Sequence, residues 1–176
     1  MIIGKNNIFL VGPMGAGKTT VGKMLADELG MDFFDSDCEI EKRTGVDLAW
    51  IFDVEGEEVF RKREIAVLDD LTQKQGVVLA TGGGSVLEEA ARKYLVARGY
   101  VIYLRASVAQ QMLRTEHDSS RRPDLMDKGS EKENVLESMK VERAPLYEAV
   151  SDMIFDMDDV AISTAVKQLI MHLRSL

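Results

Sequence analysis

Residues Gly12-Pro13-Met14-Gly15-Ala16-Gly17-Lys18-Thr19 stand between an apolar run, Ile8-Phe9-Leu10-Val11, and a stretch of helical periodicity. A G-x-x-x-x-G-K-[ST] pattern in that setting reads as strand, phosphate-binding loop and helix, which commits the chain to an α/β sheet. The spacing has a physical basis. Glycines let backbone N–H groups turn inward around the β- and γ-phosphates, and the N-terminus of the following helix adds the positive end of its dipole. Lys18 then reaches the transferred phosphate, Thr19 supplies a hydroxyl to Mg²⁺, and Thr20 is placed to contact the next phosphate inward. The chain therefore reads as a binder of a nucleoside triphosphate. A glycine-rich turn with an incidental lysine is the competing reading, and it leaves the strand before the loop and the helix after it unexplained.

At 176 residues the chain has the size of one domain with a substantial core. Its 30 acidic and 22 basic side chains give a net charge of −8, which argues against nucleic acid as a partner. ATP is itself an anion, so an acidic protein that binds it must gather its functional cations in one cleft. Arginines in motif contexts consequently carry more weight than overall charge. Cys38 is the one cysteine, which excludes an intrachain disulfide and suits a reducing cytosol. The first residues lack an apolar signal-peptide core with a cleavage site, and no apolar run has the length of a membrane span. The expectation is a soluble, cytoplasmic protein without a membrane partner.

Short apolar runs alternate with longer amphipathic ones, as in βαβ units of a parallel sheet. Strands are expected at Ile8–Val11, Phe33–Asp35, Val77–Thr81, Val101–Leu104 and Met153–Phe155. Most are continuously apolar, as when helices cover both faces of a sheet. Val21, Leu25 and Leu29 repeat at helical spacing, as do Val166, Leu169, Ile170 and Leu173. Thr115 to Glu133 is polar and nearly devoid of apolar residues, the composition of either a disordered loop or a functional lid.

Phe33-Phe34-Asp35-Ser36-Asp37 closes the second strand with two carboxylates at i and i+2. If extended geometry continues through them, both leave one face at the edge where strand-to-helix loops meet, one able to serve Mg²⁺ and the other to accept a proton from a hydroxyl. Asp37 as the cap of a helix starting near Glu39 is the alternative, and the two uses are compatible. Ala80-Thr81-Gly82-Gly83-Gly84-Ser85 ends the third strand, and consecutive glycines there permit close backbone approach to a ligand. Gly56 to Glu64 reads as a charged helix after a turn, which in isolation would be a solvated face.

Taken with Arg121-Arg122-Pro123 and Glu142-Arg143-Ala144-Pro145-Leu146-Tyr147, this ordered set resembles the shikimate kinase family from about Asn7 to the last helix. The resemblance implies a nucleoside-monophosphate-kinase-like three-layer fold. It comprises a five-stranded parallel sheet of order 2-3-1-4-5, helices on both faces and a mobile lid at about 115–133, all in one phosphate-loop kinase domain over 1–176. It implies transfer of the ATP γ-phosphate to the 3-hydroxyl of shikimate in aromatic amino-acid biosynthesis, by a monomer using ATP and Mg²⁺. On this resemblance Gly15, Ala16, Gly17, Lys18, Thr19 and Thr20 bind the ATP phosphates. Thr19 ligates Mg²⁺, and Asp35 holds it directly or through water. Asp37 binds ring hydroxyls and orients or deprotonates the attacking one. Arg61 and Arg143 clamp the substrate carboxylate beside Gly82, Gly83 and Gly84, with Glu64 ordering the arginines. Arg122 closes over the phosphates from the lid, and Arg114 with the backbone near Val160 flanks adenine. Where the family commonly follows the lid Arg-Pro with two leucines, this chain has Asp124-Leu125, and the lid is one residue longer before that arginine. Tyr147 and Trp50 are expected only to pack, and His117 to be solvated. A gluconate kinase is the nearest rival, against which the Asp-Ser-Asp, Phe-Arg and triple-glycine set speaks; a nucleotide-dependent switch is the other, disfavoured because no Asn-Lys-x-Asp motif is present.

Overall fold

The computed structural model describes residues 6–115 and 131–176. Five parallel strands, β1 (Ile8–Val11), β2 (Asp32–Asp35), β3 (Val77–Ala80), β4 (Tyr100–Arg105) and β5 (Met153–Asp156), form one sheet of order β2-β3-β1-β4-β5. This is the expected order, and the strand limits differ from those expected by a residue at most.

Alternation of side chains across the pleat divides the interior in two. Phe9, Val11, Leu79, Val101 and Tyr103 face α4 (Glu57–Thr72), α5 (Glu89–Arg98) and α7 (Lys132–Val150), whose Leu68, Leu95 and Tyr147 are buried with them. Ile8, Leu10, Val78, Ile102 and Leu104 face α1 (Lys18–Leu29) and α8 (Ile162–Ser175). The stripes Val21, Leu25 and Val166, Leu169, Ile170, Leu173 are all buried in that second layer, and Leu29 packs at its edge. A central parallel strand covered on both faces needs continuous apolar sequence, which is why β1 reads as it does.

At the amino-terminal edge of the sheet, buried Asn7 ties three segments together. Its Nδ2 donates to the Lys74 carbonyl (2.7 Å) and the Arg98 carbonyl (3.3 Å), while Oδ1 accepts from Val77 N (3.1 Å). The opposite, carboxyl edge is where strands stop and loops diverge. Between β2 and α4 lie α2 (Ser36–Thr44), a short α3 (Leu48–Trp50) and a π-helical turn, Ile51–Glu55.

The helices claim both ends of the polar segment expected at Thr115 to Glu133. Thr115 is the last residue of α6 (Val108–Thr115), fully buried with its Oγ1 donating to the Gln111 carbonyl (2.7 Å). Lys132 and Glu133 open α7, and Lys132 Nζ donates to the Thr115 carbonyl (3.1 Å). Arg121, Arg122 and His117 lie outside the described residues.

Candidate active site

The phosphate loop links the end of β1 to α1. Gly15 (φ 78°) and Gly17 (φ 91°) both sit in the left-handed region that side chains resist, so the loop's path requires glycine at each. Lys18 is not the solvent-facing side chain that a loop lysine suggests. It is buried, with Nζ donating to the carbonyls of Gly12 (2.7 Å) and Pro13 (2.8 Å). Ala16 is fully buried with its methyl in the second core layer, which leaves only its backbone to face the loop's interior. Thr19 and Thr20 are exposed on the cleft rim.

Thr19 Oγ1 donates to Asp35 Oδ2 at 2.6 Å, which brings the two expected metal-binding groups together. The other oxygen, Oδ1, accepts from Asp37 N (3.0 Å) and Cys38 N (3.1 Å). Asp35, not Asp37, is therefore the helix cap, and α2 begins at Ser36 instead of near Glu39. Extended geometry ends at Asp35 because its carboxylate satisfies the first free N–H groups of the helix. The expected i, i+2 relation across a strand does not hold; Asp37 reaches the cleft from the first turn of α2.

Arg114, near the end of α6, donates from Nη1 to the Gly15 carbonyl (3.1 Å). A Cβ at Gly17 would lie 3.1 Å from Ile162 Cδ1 and 3.5 Å from Arg114 Nη1, so the segment after β5 and Arg114 converge behind the phosphate loop. Val160 packs on the same layer beside Ile162 and follows Asp159, whose φ of 56° is the one positive value at a non-glycine residue among those described.

Arg61 and Glu64 occupy one face of α4, both buried, with Arg61 Nη1 donating to Glu64 Oε1 at 3.0 Å. Glu57 accepts from Nη2 at 3.2 Å, and the guanidinium stands over the rings of Phe60 (5.1 Å) and Phe52 (6.0 Å), the latter presented by the π-helical turn. Bidentate carboxylate recognition needs a guanidinium held in one plane, and these contacts supply that restraint. Arg143 comes from α7, also buried, and lines the same cleft.

None of the three consecutive glycines has a positive φ. Their necessity is steric. A Cβ at Gly82 would lie 2.7 Å from Asp37 Oδ1 and 3.0 Å from Glu64 Oε2, and one at Gly84 would lie 2.5 Å from the Arg61 guanidinium nitrogens. At Gly83 the nearest atom is 3.5 Å away. The Gly82 N–H is already donated to Ser36 Oγ (3.0 Å), and Ser85 Oγ donates to the Gly82 carbonyl (2.7 Å). Two of the glycines thus make room for the acid pocket's own side chains, where the sequence suggested room for a ligand.

These groups line one cleft of about 410 Å³ that runs from the phosphate loop to Arg143. Burial, reinforced by the negative charges of Glu64 and Asp35 and opposed by Lys18 and Arg61, lifts the Asp37 carboxyl to about 7. A carboxylate in that range is matched to accepting a proton from a hydroxyl near neutral pH. Lys18, Arg61, Arg114 and Arg143 all meet here, the concentration of cations that an acidic ATP-binding chain requires. Sequence reasoning assigned no role to Glu57, Phe52, Phe60 or Ser36, which support the site. Glu57, at i−4 from Arg61, Phe60, beside it, and Ser36, between the two aspartates, carried a readable signal; Phe52 reaches Arg61 only through the π-helical turn and carried none.

A family model described as shikimate kinase matches residues 14–174. The shikimate kinase of Alteromonas mediterranea is 56% identical over 166 residues, covering 94% of this chain and 95% of that protein. That of Colwellia psychrerythraea is 52% identical over 169 residues, covering 96% and 97%. Among solved structures, shikimate kinase from Acinetobacter baumannii in complex with shikimate superposes with a TM-score of 0.92 at 42% identity, over 98% of this chain and 94% of that one. Sequence relatives, sheet order and a cleft that joins a phosphate loop to two buried arginines agree, and the chain belongs to the shikimate kinase family.

Proposed function

We propose that this chain moves the γ-phosphate of ATP to the 3-hydroxyl of shikimate, with the acceptor held by its carboxylate between Arg61 and Arg143. The observation that carries this reading is the continuity of one cleft from the phosphate loop to two buried guanidiniums, with Asp37 between them. Phosphoryl transfer asks little of a protein beyond in-line positioning and positive charge spread over the reacting oxygens. Lys18 leaves its loop carbonyls for the phosphates, and Thr20 and the loop N–H groups hold them in register. Asp37 accepts or shares the proton of the attacking hydroxyl. Glu64 and Glu57 keep Arg61 aimed, and Arg114 and the backbone near Val160 border the nucleotide base. Arg122, outside the described residues, adds its charge to the phosphates on this reading.

Thr19 Oγ1 and Asp35 Oδ2 are hard oxygen donors 2.6 Å apart, and no cluster of three metal-ligating side chains occurs among the described residues. That donor set fits Mg²⁺, which takes one or two protein oxygens and completes its shell with phosphates and water. When bound, Mg²⁺ neutralises phosphate charge. No helix among the described residues is long and apolar enough to cross a membrane; we place the enzyme in the cytoplasm as a monomer.

The test is an ADP-release assay with shikimate, gluconate, quinate or no acceptor. Turnover with shikimate well above the other three is expected. Equal rates with gluconate, or ADP release independent of acceptor, would overturn the assignment.

A further inference from the structure

α7 presents Arg143 and Tyr147 on one face, one turn apart. Tyr147 is buried against the ring of Tyr103, 5.0 Å between centroids, so its ring has little freedom. Its hydroxyl donates to the carbonyl of Gly83, in the turn after β3. A carbonyl has no donor, so the proton of this bond is the phenol's. A Cβ at Gly83 would lie 3.7 Å from Arg143 Nη1, which puts the glycine turn and the guanidinium in direct apposition.

We propose that Tyr147 is a positioning residue for the acceptor, its hydroxyl tying α7, which carries Arg143, to the glycine turn so that the two sides of the carboxylate pocket move as one. This rests on the reading of Arg143 as a carboxylate clamp. Two elements far apart in sequence, α7 and the turn after β3, have no covalent reason to keep register. A buried hydroxyl on the one that donates to the other supplies it. Burial holds the phenol's pKa above its ordinary value, so the proton that bonds Gly83 stays in place across the working pH range. Tyr147 touches neither ATP nor the reacting hydroxyl, and its influence is confined to how tightly the acid end is held.

Tyr147→Phe keeps the ring and removes the joint. The expected result is a rise of about tenfold in KM for shikimate, the scale of one buried hydrogen bond, with KM for ATP unchanged. Combined with Arg143→Lys, the effects should be less than additive, because both act on one unit. Unchanged KM for shikimate, an equal rise for both substrates, or strict additivity would overturn the proposal. Arg143→Lys alone separates this from the reading beneath it. If that variant raises KM for shikimate and Tyr147→Phe does not, only the Tyr147 joint fails; if neither does, the carboxylate pocket itself is misplaced. A measurement on the wild-type chain is independent of how the variant folds. With tyrosines labelled at the ζ carbon with ¹³C, the Tyr147 resonance should shift on adding shikimate without nucleotide, and a resonance indifferent to shikimate counts against the proposal.

Discussion

At the phosphate end of the cleft, almost everything comes from one loop and the first turn of α1: Gly15, Gly17, Lys18, Thr19 and Thr20 follow one another in sequence, and backbone conformation does most of the work. The acid end draws Asp37 from α2, Arg61 and Glu64 from α4, three glycines from the turn after β3 and Arg143 from α7. One is a local structure that needs only a strand to start it and a helix to end it. The other exists only when four separate elements dock, and its buried charges need partners, as Glu64 and Glu57 are for Arg61. The same kind of residue is therefore used differently at each end. Glycine supplies positive φ in the phosphate loop, whereas at 82 and 84 it supplies space for Asp37, Glu64 and Arg61.

Lys18→Ala is the harshest test of the local end. Turnover should fall by about a thousandfold through lost charge on the transferring phosphate. Because Nζ also bonds the Gly12 and Pro13 carbonyls, the melting temperature should drop too, reflecting about 1–3 kcal/mol for buried groups left without a partner. Near-normal turnover would remove the loop from the chemistry. Arg122, which lies outside the described residues, comes next on the proposal that it reaches the phosphates. Arg122→Ala should cost about a hundredfold in turnover, with Arg121→Ala mild, since one guanidinium delivered to the phosphates is a charge-stabilising group. The reverse ranking would shift the lid register by one residue.

At the assembled end, Arg61→Lys and Arg143→Lys keep charge but lose the planar fork. Each should raise KM for shikimate about tenfold while leaving KM for ATP near wild type. An equal rise for both substrates would mean that the two ends are not separable. The smallest effects distinguish the two uses of glycine. Gly84→Ala, whose Cβ would collide with the Arg61 guanidinium, should raise KM for shikimate by about fivefold, and Gly83→Ala, with its nearest atom at 3.5 Å, should change it by less than about twofold. A larger penalty at Gly83 would return the turn to a ligand-approach role.

The amino-acid sequence alone determined what depends on neighbours along the chain. The strand, loop and helix around Gly12 to Thr19, the apolar strands of a sheet covered on both faces and the helical stripes of α1 and α8 follow from short-range spacing, and all are where that spacing puts them. Sheet order and the roles of Arg61, Glu64 and Arg143 followed from family resemblance, because no periodicity says which distant segments meet. Tertiary structure decided the rest. Asp35 rather than Asp37 caps α2 because its carboxylate is held between Thr19 and two backbone N–H groups, a competition that sequence leaves open. Lys18 is buried, and Tyr147, expected only to pack, has its hydroxyl at the meeting point of α7 and the glycine turn. Asp37 is raised to about 7 because docking removes water and sets Glu64 and Asp35 beside it. Burial and through-space charge are properties of packed elements, and they come into being only when those elements meet.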